Sequence, residues 1–225
     1  MISLLGAFLP NIALARLYEC NNVLRKRVLP VLVPRVAWDA ATFKYVDDRL
    51  PHVQNMTGWD FAVHGTLAIF PNLKLLSLCP LFNQPLGVLP PGLTHLTLST
   101  RFDQDLPPGV LPSSLTHLTI GEHFSQPLRA GALPGSLTFL SFARHLNNPI
   151  PELQHDWSYF NEDLPPGVLP PSLTHLIFGS NFNTQLQQHA LPAALTYLSF
   201  GYYYNQPLFP GVVPSGLTYL RFGRA

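Results

Sequence analysis

The chain has 225 residues, of which only 11% are charged, and its formal net charge is +1. A net charge this small cannot produce a strong electrostatic field that would attract nucleic acid or anionic lipid. The 24 prolines and 15 glycines are typical of disorder, but here they recur at a fixed period and indicate one elongated domain with a cap. Cys20 and Cys79 lack metal-ligand spacing and are expected to be free thiols in a reducing compartment.

Residues 1–34 are rich in apolar side chains at helical spacing, broken at Pro10 and followed by the basic cluster 25–27. One interpretation is a signal peptide ending at Ala15, but no positive charge precedes the short apolar run. No run approaches the roughly 18 apolar residues of a membrane span. The segment also resembles the later two-thirds of an F-box, although the usual opening, Leu-Pro followed by an acidic residue, is missing. That resemblance implies docking to the small adaptor subunit of a cullin-type ubiquitin ligase through Leu5, Phe8, Leu9, Leu14 and Leu17.

Residues 35–80 are predicted to form degenerate coils and a cap over the open end of a solenoid, as terminal units must. The stretch 70–78 has the apolar pattern of a coil, and its Leu73 precedes Leu93 of the first regular unit by a step of 93−73=20. The stretch 50–57 is a weaker copy, in which Val53 precedes Leu73 by the same step, 73−53=20. A short helix is predicted over 40–46.

Residues 81–225 repeat the pattern Leu-Pro-x-x-Leu-Thr-x-Leu-x-apolar. The successive steps are 111−89=22, 133−111=22, 169−133=36, 191−169=22 and 213−191=22. A fixed short period predicts a solenoid, in which each unit buries its apolar face against its neighbours. Alternating apolar residues predict a short strand in each unit, and the many prolines predict irregular chain opposite. The predicted fold is therefore a mainly β repeat solenoid, with stacked parallel strands on one face and proline-rich chain on the other. The units open at Leu89, Leu111, Leu133, Leu169, Leu191 and Val213.

Three further columns of equivalent residues follow each strand. The first is a glycine, predicted to turn the chain by adopting positive φ (Gly121, Gly179, Gly201, Gly223). The second is an aromatic residue, predicted to point into the core (Phe102, Phe124, Phe160, Phe182, Tyr204). The third is a short polar residue, predicted to bond turn backbone, including that of the neighbouring coil (Asn83, Asp103, Ser125, Asn161, Asn183, Asn205).

The segments 82–86 and 204–208, Phe-Asn-Gln-Pro-Leu and Tyr-Asn-Gln-Pro-Leu, are each followed by a repeat strand and resemble the FNIP repeat. This 22-residue relative of the leucine-rich repeat is typical of social amoebae and of large viruses that infect amoebae. The resemblance implies a leucine-rich-repeat-like fold and a cytoplasmic location, in the host cytoplasm if the protein is viral. The 36-residue step contains 36−22=14 extra residues, predicted to bulge as a loop over 146–159. Trp157 and Tyr159 are candidate binding anchors, and the alternative is that they pack over the edge of the coil.

The strand residues that flank the inward leucines are predicted to point outward, because neighbours along a strand alternate sides. These two columns form the candidate protein-binding face, since solenoids bind partners along their strand faces. The alternative is that the rings only stabilise the sheet through cross-strand contacts. A metal site is disfavoured, since zinc needs three or four converging ligands and no carboxylate or thiolate joins the histidines. The ring column is His95, His117, Phe139, His175, Tyr197 and Tyr219, and beside it run Thr97, Thr119, Ser141, Ile177, Ser199 and Arg221.

The sequence has no phosphate-binding loop, HExxH, paired CxxC or Gly-x-Ser-x-Gly motif, so no catalytic, cofactor or metal residue is predicted. The predicted function is non-enzymatic protein–protein interaction, as an adaptor that recruits a target to a cullin-type ubiquitin ligase. The alternative is a binding or structural solenoid without a ligase connection. A third class, the exported leucine-rich effector, would need a catalytic cysteine domain to act as a ligase. The expected partners are a protein target and the ligase adaptor subunit, without nucleic acid or membrane.

Overall fold

A computed structural model of the chain describes residues 55–59, 67, 70, 72–142 and 158–223. Eight parallel strands form one sheet in which the strand order follows the chain order. This architecture confirms the predicted parallel solenoid. The strands are β1 (Asn55–Trp59), β2 (Leu75–Leu78), β3 (His95–Thr97), β4 (His117–Thr119), β5 (Phe139–Ser141), β6 (His175–Ile177), β7 (Tyr197–Ser199) and β8 (Tyr219–Arg221).

The register of the sheet places equivalent residues of successive units side by side. His95 pairs with His117 and His117 with Phe139. The register continues across the 36-residue step, where Phe139 pairs with His175. Strands β1 and β2 lie in the same sheet, within the stretch for which the sequence predicts degenerate coils. The F-box-like segment 1–34 and the helix predicted over 40–46 lie outside the described residues.

The coils of β3 to β6 each contribute three buried strand-side residues and one buried aromatic ring. In the β4 coil these are Leu115, Leu118, Ile120 and Phe124, all fully buried. The aromatic rings stack on one another from coil to coil, with centroids 6.0 to 6.3 Å apart. The core is therefore continuous along the solenoid, as the repeat predicts. We call this stack the inner ring column; it comprises Phe82, Phe102, Phe124, Phe160, Phe182 and Tyr204.

The glycine column after the strands corrects one prediction. None of these glycines has positive φ; the positive-φ glycines lie on the proline-rich side, at Gly109, Gly131, Gly167 and Gly211. The glycines after the strands are required instead because adjacent coils approach closely there. A Cβ on Gly121 would overlap the carbonyl oxygen of Ser99, and one on Gly201 would overlap that of Gly179. The physical requirement is space between coils, not a left-handed backbone.

The short polar residues after the inner rings form the predicted ladder between coils. Asn83 Oδ1 accepts a hydrogen bond from the backbone N–H of Asp103 at 3.0 Å, and Asp103 Oδ1 accepts from that of Ser125 at 2.9 Å. Asn183 Oδ1 likewise accepts from the N–H of Asn205 at 2.8 Å. These bonds satisfy backbone groups that have left the sheet, so the structural interpretation of this column is confirmed.

The insertion between β5 and β6 ends earlier than predicted. Residues 143–157, including Trp157, lie outside the described residues. Ser158 and Tyr159 belong to the coil, because the N–H of Tyr159 donates to Glu122 O at 2.7 Å, just as that of His123 donates to Thr100 O in the preceding unit. The predicted boundary at 159 is therefore two residues too late. The sequence alone does not locate this boundary, because the extra residues can be placed at several neighbouring positions when the units are aligned.

Candidate functional site on the strand face

The outward face of the sheet has a continuous stack of six rings, one on each strand from β3 to β8. Successive centroids are 4.1, 5.5, 6.2, 5.5 and 4.4 Å apart. The 6.2 Å step, between Phe139 and His175, spans the insertion and is tilted by 32°. The rings remain half-buried or exposed, in contrast to the inner column. We call this stack the ring strip: His95, His117, Phe139, His175, Tyr197 and Tyr219.

One further residue extends the ring strip at its N-terminal end. Leu75 on β2 pairs in register with His95, and its side chain is 42% exposed. Sequence reasoning missed Leu75 because its coil departs from the repeat and has no ring at this position. The interval 95−75=20, equal to the step already found for this coil, is the signal that could have located it.

The second outward column offers less surface than predicted. Thr97 and Thr119 are half-buried and Arg221 is exposed, whereas Ser141, Ile177 and Ser199 are buried. Each of the two serines pairs in register with longer neighbours, Ser141 with Thr119 and Ile177, and Ser199 with Ile177 and Arg221. At a strand spacing of about 4.8 Å, such neighbours cover a short side chain. The accessible part of the predicted face is therefore mainly the ring strip.

A column of threonines beneath the strip holds successive coils together. Thr116 Oγ1 donates to Thr94 O at 3.1 Å, and the N–H groups of Thr116 and His117 donate to the same carbonyl at 2.9 and 3.0 Å. The pattern recurs at every step from β2 to β8. The strict Leu-Thr pair of the repeat is the sequence signal for this column. The members are Thr94, Thr116, Thr138, Thr174, Thr196 and Thr218.

The threonine hydroxyls also contact the histidine rings of the strip. Thr116 Oγ1 lies 2.9 Å from His117 Nδ1, and the direction of this hydrogen bond depends on which ring nitrogen carries the proton. His95 and His175 have the same arrangement with Thr94 and Thr174. Each of these contacts joins a histidine ring to the threonine that precedes it in the chain.

Burial and neighbouring rings disfavour charge at the centre of the strip. Desolvation lowers the pKa of His117 below its usual 6.5, and the nearby His95 and His175 lower it further. At the other end, desolvation raises the pKa of Tyr197 above its usual 10.0, with Tyr219 adding to the rise. Both shifts favour neutral side chains near pH 7. Arg221 is the only charged residue in the two columns.

These features make the strip suitable for contact with a protein and unsuitable for a metal ion. In the described part of the chain, no group of three or more histidine, cysteine, aspartate or glutamate side chains is placed to hold a metal. The His95 and His117 rings are stacked within 12° of parallel, so their Nε2 lone pairs do not converge on one point. Half-exposed rings with polar edges are instead typical of protein-recognition surfaces.

The remaining candidates lie in the N-terminal segment and beside the insertion. The proposed docking residues of the N-terminal segment, Leu5, Phe8, Leu9, Leu14 and Leu17, lie outside the described residues. Tyr159 is described; it is half-exposed and its ring lies 5.1 Å from that of His123, away from the strip. A search of the described residues finds no helix long and apolar enough to cross a membrane.

The fold and the strand face define a leucine-rich-repeat-like β-solenoid, a class that typically serves as a protein-interaction scaffold. The chain belongs to the FNIP repeat family. The family pattern matches residues 82–123, 102–145, 160–203 and 186–225, which together cover more than half of the chain.

Among solved structures, the chain is similar to CroV588, described as a novel circular LRR protein. The two are 43% identical, with a TM-score of 0.60, over 68% of this chain and 21% of CroV588. This chain thus spans about a fifth of the length of that neighbour. A comparison with curated proteins gives no match.

Proposed function

We propose that the chain is a non-enzymatic scaffold that holds a protein partner along the ring strip. The observation that supports this most directly is the continuity of the strip: six half-buried or exposed rings stack without a gap across six strands. An exposed strip of rings with few charges gains stability when another protein covers it. Aromatic rings also supply much of the binding energy in protein interfaces.

The composition of the strip favours a partner over a purely structural role. The inner ring column, which has a structural role, consists of phenylalanine except at Tyr204. The strip instead mixes histidine, phenylalanine and tyrosine, and the polar atoms of histidine and tyrosine can form hydrogen bonds with a partner. The stacking also stabilises the sheet through cross-strand contacts.

The finer proposal is that the scaffold recruits its partner to a cullin-type ubiquitin ligase in the cytoplasm. Its support is the resemblance of residues 1–34 to part of an F-box, with Leu9 and Leu14 at the apolar positions expected to dock the ligase adaptor subunit. The alternative remains a scaffold without a ligase connection. The two differ only in what the N-terminal segment binds, so they can be tested separately.

The strip is tested by capture from an amoebal lysate, using the full chain with Phe139→Ser and Tyr197→Ser. We expect the affinity for the partner to fall roughly thirtyfold, because two rings that contribute ~1 kcal/mol each are removed. The matched control carries Tyr203→Ser and Phe209→Ser, which remove two half-exposed rings away from the strip. All proteins must first unfold at similar denaturant concentrations. Equal recovery by the strip variant and the control would place the interface elsewhere.

The ligase connection is tested by the same capture with Leu9→Asp and Leu14→Asp. A charge in an apolar helix interface is costly, so the ligase adaptor subunit should be lost while the strip partner is retained. If the intact chain captures no adaptor subunit, the scaffold without a ligase connection is the correct alternative. A result of that kind leaves the strip proposal unaffected, because the two sites are altered independently.

A further inference from the structure

The proline-rich side of the solenoid carries the same stretch, Leu-Pro-Pro-Gly-Val-Leu-Pro, in two different coils. The two copies are residues 106–112 and 164–170, and a third Pro-Pro-Gly tripeptide lies in an earlier coil at residues 90–92. Collagen chains repeat Gly-X-Y, and the Y residue, directly before glycine, is often hydroxyproline. The second proline of Pro-Pro-Gly occupies that Y position. The three tripeptides are therefore candidate sequences for hydroxylation.

Two of the three tripeptides form the same exposed turn. Val110 N–H donates to Pro107 O at 3.3 Å, and Gly109 has a φ of +86°. Residues 107–110 thus form a β-turn with proline second and a positive-φ glycine third, the arrangement of a type II turn. Residues 165–168 form the same turn, with a φ of +87° at Gly167. The two prolines and the glycine of each turn are exposed, so an enzyme can reach them without unfolding the coil.

The third tripeptide has a different backbone and is held against the core. Gly92 does not have positive φ, and its carbonyl accepts a hydrogen bond from Lys74 Nζ at 3.1 Å. Pro90 is buried, and the next residue, Leu93, is fully buried. An enzyme that bound Pro91 in the conformation of the other two turns would first have to unfold this segment locally. The same tripeptide is thus accessible in two coils and inaccessible in the third.

We propose that Pro108 is the substrate of a prolyl 4-hydroxylase that uses 2-oxoglutarate, O2 and iron(II). The reaction replaces a C–H bond at Cγ of Pro108 with a C–OH group. One oxygen atom of O2 enters the proline, and the other enters 2-oxoglutarate, which loses CO2 and becomes succinate. Oxidation of the proline and of 2-oxoglutarate supplies the electrons that reduce O2. The site is separate from the ring strip and does not depend on what the strip binds.

The fold accommodates the added hydroxyl. Pro108 is exposed, so the new group enters water and displaces no core contact. The hydrogen bond that closes the turn joins Pro107 O to Val110 N–H, and hydroxylation at Cγ of Pro108 alters neither group. Even a Cβ on Gly109 would meet nothing within 4 Å. The space around the turn is therefore open on the side of the glycine as well.

The neighbouring coil determines how open each proline ring is. A Cβ on Gly131 would lie 3.8 Å from Cβ and 3.9 Å from Cγ of Pro108, so the glycine leaves this side of the ring uncovered. The equivalent neighbour of Pro166 is His189, because 131−108=23 and 189−166=23. His189 has the same left-handed backbone, with a φ of 63°, and its side chain starts where glycine leaves space beside Pro108. We therefore expect Pro108 to be the better substrate and Pro166 the poorer one.

The first experiment tests whether the modification occurs. The full chain is incubated in an amoebal lysate with isotopically labelled O2, 2-oxoglutarate and iron(II), and its peptides are analysed by mass spectrometry. We expect one labelled oxygen on Pro108, and none when oxalylglycine, a competitor of 2-oxoglutarate, is added. Pro108→Ala is the control for the position, because it should abolish the label in its peptide. An unlabelled Pro108, or a label that persists in the presence of the competitor, overturns the inference.

The second experiment tests whether the turn is what the enzyme recognises. The folded full chain is treated with a purified collagen-type prolyl 4-hydroxylase, and hydroxylation of each proline is followed over time. We expect a rate at Pro108 at least about tenfold higher than at Pro91, because a preformed turn removes the cost of ordering the substrate. Equal rates at Pro91 and Pro108 would show that the tripeptide alone is recognised, and would overturn the role assigned to the turn.

The effect of the neighbouring coil is tested in the same assay by exchanging the residues at two equivalent positions. Gly131→His should lower the rate at Pro108 to that of Pro166 in the wild type. His189→Gly should raise the rate at Pro166 to that of Pro108 in the wild type. Each variant carries a residue that already occupies the equivalent site in another coil, and both must unfold at the same denaturant concentration as the wild type. Unchanged rates in both variants would overturn the ranking of the two sites.

Discussion

The inner ring column and the ring strip have the same origin and different surroundings. Each coil contributes one ring to each of the two stacks. Successive ring centroids are 6.0 to 6.3 Å apart in the inner ring column and 4.1 to 6.2 Å apart in the ring strip. Inside, the rings are surrounded by core leucines, and phenylalanine is replaced only once. Outside, one side of each ring is open, and three ring types occur. Stacking is thus a consequence of the coil repeat, whereas ring chemistry is determined by the surroundings.

The sharpest test of this difference removes one ring from each column. Phe124→Ala creates a cavity at a fully buried site and should lower the free energy of unfolding by about 3–5 kcal/mol. Phe139→Ala removes a half-buried ring of the strip and should cost about 1 kcal/mol or less. Both values come from chemical unfolding followed by circular dichroism. Similar losses for the two variants would show that the strip is part of the core.

The second test concerns the space that holds the coils at their separation. A Cβ on Gly201 would overlap Gly179 O, so Gly201→Ala forces two coils apart and should cost about 1–3 kcal/mol. Gly135→Ala is the matched control, because a Cβ there meets nothing within 4 Å. The control should be neutral or slightly stabilising. A Gly201→Ala protein as stable as the control would contradict the close-approach explanation.

The sequence predicted those sets of residues that recur once in every repeat unit. The inward leucines, the inner rings, the outward rings and the polar ladder each recur once per unit, and the structure places each set in one column. The predicted reason for the glycine column was wrong. Gly121 and Gly201 recur just as regularly, but a period cannot distinguish a need for positive φ from a need for space. That distinction depends on the distance to the next coil, which only the structure gives.

On the candidate face, the sequence indicates on which side of a strand a residue lies, but not how accessible its side chain is. Alternation along β5 and β7 places Ser141 and Ser199 outward, but accessibility depends on the neighbouring side chains in the sheet. Both serines are buried. The role of Thr116 was also missed, because alternation indicates a side and not a hydrogen-bond partner. Leu75 was missed because its coil lacks the repeat pattern, although the register aligns it with the strip.

A smaller effect on the free energy of unfolding is expected at Tyr204, the one residue of the inner ring column that is not phenylalanine. The Tyr204 hydroxyl is buried and has no hydrogen-bond partner among the described residues, and desolvation raises the pKa of the phenol. Tyr204→Phe removes an unsatisfied polar group while keeping the ring, so the free energy of unfolding should rise by about 1 kcal/mol. The outer-column control is Tyr197→Phe, at a half-buried site. A loss of stability in Tyr204→Phe would mean that the hydroxyl has a partner in solution.

The smallest expected effect is the pH dependence that His117 gives to folding. Its pKa in the folded chain lies below 6.5 because of desolvation, with His95 and His175 adding to the shift. As pH falls below about 6.5, the unfolded chain therefore binds a proton at this site before the folded chain does. The contribution is complete above 6.5 and is lost as pH falls through the folded pKa. Protonation of His117 therefore destabilises the fold in mildly acidic solution.

The measurement compares the unfolding midpoint of the wild type and of His117→Phe between about pH 7.5 and pH 5, the interval in which histidine titrates. The wild type should lose more stability over this interval, because phenylalanine preserves the stack without a titrating group. His123→Phe, outside the strip, is the control for removing a histidine in general. Carboxylates titrate equally in all three proteins, so the difference isolates the site. If His117→Phe loses as much stability as the wild type, protonation of His117 does not destabilise the fold.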